Sequence, residues 1–412
     1  MATERDGTTA IGDRPQPGVP VFDYDFYRDR RFDVEGDFHA ALGEMAAETP
    51  PIFWSPSLGG HWVIRSHALA FEAARDTALF SSRAMNIPAD DSELHRAPAI
   101  PINLDPPDHA RYRQPLSSLF SPARMARLEG KIRSMAIALI DAIKDEGQCD
   151  FVKAVAEPIP VVAFMELVGM DQSRLREFRE LAVIGSVDPD PERRKAGAMQ
   201  VHGIMENFVA SRFENAGSGA ADLTSELMAA TIDGRPVTRE EIVGYFRLLF
   251  FAGLDTVVNA MAFGIAYLAR HQDVQARLRA GEYDLKLAIE ELLRLGAPAK
   301  LGRYVTRDAE WNGARLKKGD RALLELPMAN LDATAFPDPM TFDPGRPSIN
   351  HLTFNSGPHR CLGQHLARIE LRVFYEEWLA RIPTFALDPK HPMMTHGGLV
   401  MGVDTMPIVW QT

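Results

Sequence analysis

The chain is expected to be mainly α-helical with small β-sheets, built around one long, buried central helix. Three observations predict this class. Apolar residues at helical spacing fill most of the sequence beyond Ser121. The capping box Thr238-Arg-Glu-Glu241 opens the longest of these runs, which should extend to about Arg270. Strand-like alternation with glycine turns is confined to short stretches, around 59–64 and from Gly302 to Leu326.

In chain order, residues 1–20 carry charges, Gly and Pro and read as a flexible lead before a single domain over 21–412. Gly59-Gly60 is a turn entering the strand His61-Trp62-Val63-Ile64, where Trp and β-branched residues follow the glycines. Ser81 to Pro107 is Pro-rich and without period, a long loop with room for one helical turn, and long loops in compact domains tend to carry function. Helices follow over 121–144, with Pro122 at a first helical position, and over 158–170, 174–184 and 193–214. A last helix should start just after Cys361 and run to about Leu379. No low-complexity linker or internal repeat divides the chain.

At 412 residues, 46% hydrophobic and 25% charged, the chain can build a core that encloses a sizeable cofactor. A net charge of −11 argues against nucleic acid and anionic membrane as partners. The apolar stretch Leu248 to Leu268 raises the question of a membrane span, but Asp255, Thr256 and Asn259 interrupt it. An aspartate at mid-bilayer costs roughly 3 kcal/mol, so a core helix is expected. The two cysteines, Cys149 and Cys361, cannot form a disulfide framework or a multi-cysteine zinc site. Met1 to Val19 lacks the apolar region of a secretory signal, so the expected compartment is the cytoplasm.

Four segments carry chemistry. In Phe354-Asn-Ser-Gly-Pro-His-Arg-Cys361-Leu-Gly363 a Gly-Pro turn leads into Cys361, and a helical pattern follows. The free N–H groups and dipole of a helix start favour a thiolate there. Gly363 leaves room for a flat macrocycle, and His359 and Arg360 can partner anionic groups. By itself, a lone cysteine at a helix start is more often an inert buried thiol. Ala252-Gly-Leu-Asp255-Thr256 sets a glycine, a carboxylate and a hydroxyl inside an apolar helix. The glycine costs roughly 1 kcal/mol against alanine, so the segment marks either a function or a kink with a satisfied polar pair. Glu291 and Arg294, at i and i+3, share a helix face and can pair, and His109 and Arg113 are neighbours at i and i+4.

Phe354, Gly357, Cys361 and Gly363 match F-x-x-G-x-x-x-C-x-G, which resembles the haem-binding signature of the cytochrome P450 family. The resemblance covers about Val21 to Trp410, and its nearest local matches are to bacterial, ferredoxin-dependent, camphor-hydroxylating members. It implies the P450 fold, with the long helix over a buried haem b and Cys361 as the axial iron ligand. It further implies that the helix opens at Asp255 and Thr256, which handle protons during oxygen activation. His109, Arg113, Arg303 and His359 would hold the haem propionates, and Glu291, Arg294 and Arg346 would form a structural network behind the cysteine loop.

The implied reaction is hydroxylation of a small apolar substrate, using O2 and two electrons from a 2Fe-2S ferredoxin served by its reductase. Carried across residue by residue, the substrate walls are Ala97, Ile102, Leu248, Phe251, Ala252, Ala299, Leu301, Leu399 and Val400. Ala97 stands where the camphor-hydroxylating members place a ketone-binding tyrosine, and Phe251 where they place a smaller aliphatic residue. A terpenoid or similar compact molecule other than camphor is therefore expected; His95 is read as an exposed loop histidine, with a role as substitute donor the alternative. On the docking face Arg113 is retained, while Phe71, Ala110 and Ser348 replace basic residues. Two other readings compete: a haem-thiolate peroxygenase or isomerase, which would not need Asp255-Thr256, and a non-catalytic haem sensor, which would not need a proton relay.

Overall fold

The computed structural model describes residues 18–29, 38–90, 92–95, 98–174, 177–178, 180–181, 191–215 and 222–412. Six helices position the site: α1 (Asp108–Leu119), α2 (Pro158–Val168), α3 (Pro191–Glu214), α4 (Arg239–Arg270), α5 (Leu285–Leu295) and α6 (Gln364–Arg381). The capping box at the start of α4 forms in full. Thr238 Oγ1 accepts from the Glu241 N–H at 3.2 Å, and the Glu241 carboxylate accepts from the Thr238 N–H at 2.8 Å.

From there α4 runs 32 residues without a break. Its first half buries Ile242, Tyr245, Phe246, Phe250 and Leu254 in one apolar cluster with Leu116, Phe164 and Val201. Its second half buries Val257, Met261, Phe263 and Leu268 in another, with Leu292, Leu371, Phe374 and Trp378. The two clusters meet α4 on either side of residues 255–256, and the site lies at that seam. The apolar length of α4 serves this core: 56% of its most apolar window is buried inside the protein.

Helix ends follow local chemistry. α5 starts after Asp284, whose carboxylate accepts from the N–H groups of Lys286 and Leu287. α2 ends at the left-handed Gly169 (φ 76°). α6 begins at Gln364 with Gly363 as N-cap, so Cys361 lies just outside the helix. The run expected over 121–144 is divided by a 3-10 turn, Ala126–Leu128, into Pro122–Met125 and Glu129–Asp141. The helix expected over 174–184 falls largely outside the described residues.

Five strands form the main sheet: β1 (Ile52–Ser55), β2 (His61–Ile64), β3 (Phe80–Ser81), β4 (Leu301–Val305) and β5 (Arg321–Leu324). Their order is β1-β2-β5-β4-β3. β2 and β5 are parallel, with Val63 opposite Leu323, and the other pairs are antiparallel. Trp54 and Trp62 pack edge to face at 5.3 Å beneath it. The Pro-rich loop 81–107 contains the one helical turn it had room for, Ser92–His95.

Candidate active site

One mostly apolar cavity opens between α4 and the cysteine segment. α4 turns Leu248, Ala252, Gly253, Thr256, Val257 and Ala260 toward it, a stripe that repeats every four residues. The facing wall is Phe354, Cys361, Leu362, Gly363, Leu366 and Ala367. Leu116, Phe164 and Leu167 close one end, and Ile102, Ala299 and Leu301 close another. Ala252 and Gly253 lie mid-helix in the interior yet are exposed, because they face this space. A Cβ on Gly253 would meet nothing within 4 Å, so the glycine widens the cavity.

The cysteine loop is held by its backbone. The Cys361 N–H donates to Phe354 O at 2.8 Å, and the Arg113 guanidinium donates to Arg360 O. Gly357 has φ 67°, and a Cβ there would lie 2.6 Å from Ala74 O, so only glycine fits the turn. Burial pushes the Cys361 thiol up; the N–H groups of Gly363 and Gln364 and the guanidiniums of Arg113 and Arg368 pull it the other way. The helix-start donors therefore act on the sulfur as expected, but burial outweighs them. A metal cation on the sulfur would reverse that balance.

At one end of the cavity four basic side chains converge: His109, Arg113, Arg303 and His359. The two imidazoles lie 4.1 Å apart between centroids, and each leaves its Nε2 buried and without a hydrogen-bond partner. Burial, aided by Arg113, lowers His109 to about 4. Burial, aided by Arg303, His109 and Arg113, lowers His359 to about 2. Burial also lowers Arg303 to about 10, against the pull of Asp105. Buried cationic groups crowded this way call for anionic partners.

Across the cavity, the Thr256 hydroxyl donates to Ala252 O at 2.9 Å. The helix stays α-helical here and does not open as the resemblance implied. Asp255 is half-buried and does not line the cavity, since it sits roughly 100° around α4 from Thr256.

Glu291 and Arg294 are both fully buried and bidentate, at 2.8 and 2.7 Å. Arg346 adds a bond to Glu291 at 2.9 Å, and Arg294 and Arg346 together donate to the carbonyls of Asn330, Pro337, Asp338, Pro339 and Thr341. Burial alone would raise the Glu291 carboxyl; the two arginines outweigh it and hold it below the usual range. The network ties α5 to the loops that lead into the cysteine segment.

Of the expected substrate walls, Ile102, Leu248, Ala252, Ala299 and Leu301 line the cavity. Phe251, Leu399 and Val400 do not. Phe251 turns away to pack edge-on against Phe250 at 5.3 Å. Leu399 is spent on the core cluster, and its backbone accepts from Lys300 N at 2.7 Å. Val400 is held in a backbone bridge with Ala299, so only the latter reaches the cavity. Ala97 lies outside the described residues, and His95 is exposed on the loop. Sequence reasoning missed Leu116, Phe120, Phe164 and Leu167, whose apolar character did not distinguish them from core. It also missed Glu370, a carboxyl on the apolar stripe of α6 that a helical-face count would have exposed.

The chain belongs to the cytochrome P450 family, whose model matches residues 180–281 and 285–403. It is 38% identical to a probable cytochrome P450 127A1 of Sinorhizobium fredii over 91% of this chain and 90% of that one. It is 31% identical to linalool 8-monooxygenase of Pseudomonas putida over 82% of this chain and 88% of the relative. The crystal structure of CYP101J2 superposes with a TM-score of 0.86 at 30% identity, covering 97% of this chain and 100% of that one. The protein is a P450 monooxygenase that binds haem through a cysteine thiolate. The cavity fits that group: a sulfur faces it, two glycines leave its walls open, and two orphaned imidazole nitrogens and two guanidiniums wait where carboxylates would lie.

Proposed function

We propose that this monooxygenase hydroxylates a compact, apolar, terpenoid-like substrate with O2 and two electrons from a 2Fe-2S ferredoxin and its reductase. One observation carries the reading: Cys361 and the Ala252-Gly253-Thr256 stripe face each other across a single apolar cavity. When bound, the haem supplies the oxygen chemistry, by which one atom of O2 enters a C–H bond and the other leaves as water. Cys361 would ligate the iron, and His109, Arg113, Arg303 and His359 would hold the propionates. The Thr256 hydroxyl can turn from Ala252 O to pass a proton into the cavity, while Asp255 collects protons on the adjoining face of α4. Leu248, Ile102, Ala299 and Leu301 exclude water and hold the substrate by shape, at about 0.8 kcal/mol per buried methylene.

The likeness to a linalool 8-monooxygenase supports a terpenoid substrate. With Cys361 assigned to the haem, Cys149 is left alone and cannot hold a 2Fe-2S cluster, which supports electrons arriving from a partner protein. An open groove outside the cysteine loop, lined by Phe71, Arg75, Pro358 and Arg360, supports an acidic partner that also makes an apolar contact. A peroxide-driven enzyme would leave Thr256's place on the wall unexplained. The test is a set of substrate-binding difference spectra over terpenoids, followed by product analysis with a ferredoxin system. Linalool-sized terpenoids should give a substrate-binding difference spectrum and be hydroxylated, and camphor should bind weakly. Tight, regiospecific camphor oxidation would overturn this pocket reading.

A further inference from the structure

We infer that Lys300 and Glu325 are positioning residues for substrate selection, a buried ion pair that holds the cavity wall in register from behind. The role rests on reading this cavity as the seat of a terpenoid-like substrate. Leu301 of β4 pairs with Leu324 of β5, so Lys300 and Glu325 stand opposite each other just beyond the ladder. Their neighbours Pro298, Ala299, Leu301 and Leu326 line the cavity, whereas they do not. Side chains alternate along a strand, which turns Lys300 to the face away from the substrate space. There its ammonium lies 3.9 Å from the Glu325 carboxylate, donates to Gly398 O at 3.3 Å and sits 6.0 Å from the centre of the Phe26 ring. The Lys300 N–H donates to Leu399 O, and the Met401 N–H to Pro298 O. One side chain thus joins the start of β4, the end of β5 and the 398–401 segment.

Both side chains are completely buried. Burial pushes Glu325 up to about 7, against the pull of Lys300 and of the Tyr24 hydroxyl. It pushes Lys300 down to about 8, against the pull of Glu325. Each charge therefore has the other as its main support. A pair desolvated this far returns little net stability, and apolar residues of similar size would pack as well. What they could not supply is register. Pro298-Ala-Lys-Leu301 lies against Gly398-Leu-Val-Met401, and Lys300 is the one charged residue of the eight. A slip of one residue would turn Lys300 into the apolar cavity and Ala299 and Leu301 out of it. An unpaired ammonium in that space is the penalty that forbids the slip.

Replacing both partners by apolar residues separates register from stability. Haem-loaded Lys300→Met/Glu325→Leu should melt near the wild-type temperature. It should bind linalool several-fold more weakly by difference spectrum and spread hydroxylation over several positions. Hydrogen exchange is the second readout and needs no substrate. Glu325→Gln, of the same shape, should speed exchange several-fold at the amides of residues 299–301 and 399–401 while leaving α5 unchanged. Unaltered exchange there, or wild-type linalool affinity and product distribution in the double variant, overturns the proposal. A lower melting temperature with an unchanged product distribution would make the pair merely structural, and overturns it equally. If the double variant holds no haem, exchange in Glu325→Gln decides alone. Failure of the terpenoid reading would show separately, as wild-type enzyme that neither binds nor oxidises linalool or any other terpenoid while the exchange difference persists.

Discussion

At Cys361 burial raises the thiol while two N–H groups and two guanidiniums pull it down, and a bound cation tips that balance to thiolate. Cys361→Ala should therefore lose the strongly red-shifted Soret band of a thiolate-bound iron–carbonyl. The other cysteine, Cys149, is half-buried in a strand far along the chain and does not line the cavity. A red-shifted band that persists in Cys361→Ala would remove the ligand assignment. Thr256 and Asp255 are separable by the same logic of position. Thr256→Ala removes a cavity-lining hydroxyl and should keep substrate binding while diverting much of the electron flow to hydrogen peroxide. Asp255→Asn acts from outside the cavity and should slow turnover with less peroxide. Both variants turning over at wild-type rate and coupling would exclude the relay. The identities of these three residues were legible in the sequence because each sits in a short motif. That only one member of the Asp255-Thr256 pair reaches the cavity was not legible.

Among the elements, α5 is fastened to the cysteine approach by buried ions rather than by apolar packing alone. Glu291→Ala would strand two arginines, Arg294 fully buried and Arg346 nearly so, without their carboxylate. Removing one partner from a buried network typically costs about 3–5 kcal/mol, so a lower melting temperature and loss of haem should follow. Arg346→Ala should cost less, since Glu291 and Arg294 remain paired. Equal and negligible losses in both variants would mean the network is not holding the loop. The pairing of Glu291 with Arg294 follows from i, i+3 spacing and was readable. The carbonyls that Arg294 and Arg346 collect come from residues 330–341, which only the fold brings to α5.

For the whole molecule, a net charge of −11 coexists with a cationic patch around the cysteine loop, where Arg75 and Arg360 line the groove beside Phe71. Arg75 also lies over the Phe71 ring at 5.2 Å. An acidic ferredoxin would be steered to this patch against the average field. Arg360→Glu should raise the KM for ferredoxin several-fold at low ionic strength and much less in high salt. Phe71→Ala should weaken the same interaction with little salt dependence, because its contribution is apolar burial. If steady-state kinetics show no change in either variant, the groove is not the docking face.

By itself the sequence determined the family, the haem ligand's candidate, the central helix from its capping box at Thr238 to Arg270, and the ion pair at Glu291 and Arg294. These depend on spacings of a few residues, where helix geometry alone decides which side chains meet. The tertiary structure decided which apolar residues became wall and which became core. Leu248 and Phe251 stand three apart on one helix, yet packing turns the first into the cavity and the second onto Phe250. It also decided that Glu370, on a stripe otherwise apolar, faces open space. That outcome depends on how far α4 and α6 stand apart, a distance set by two core clusters that meet only when the whole chain has folded.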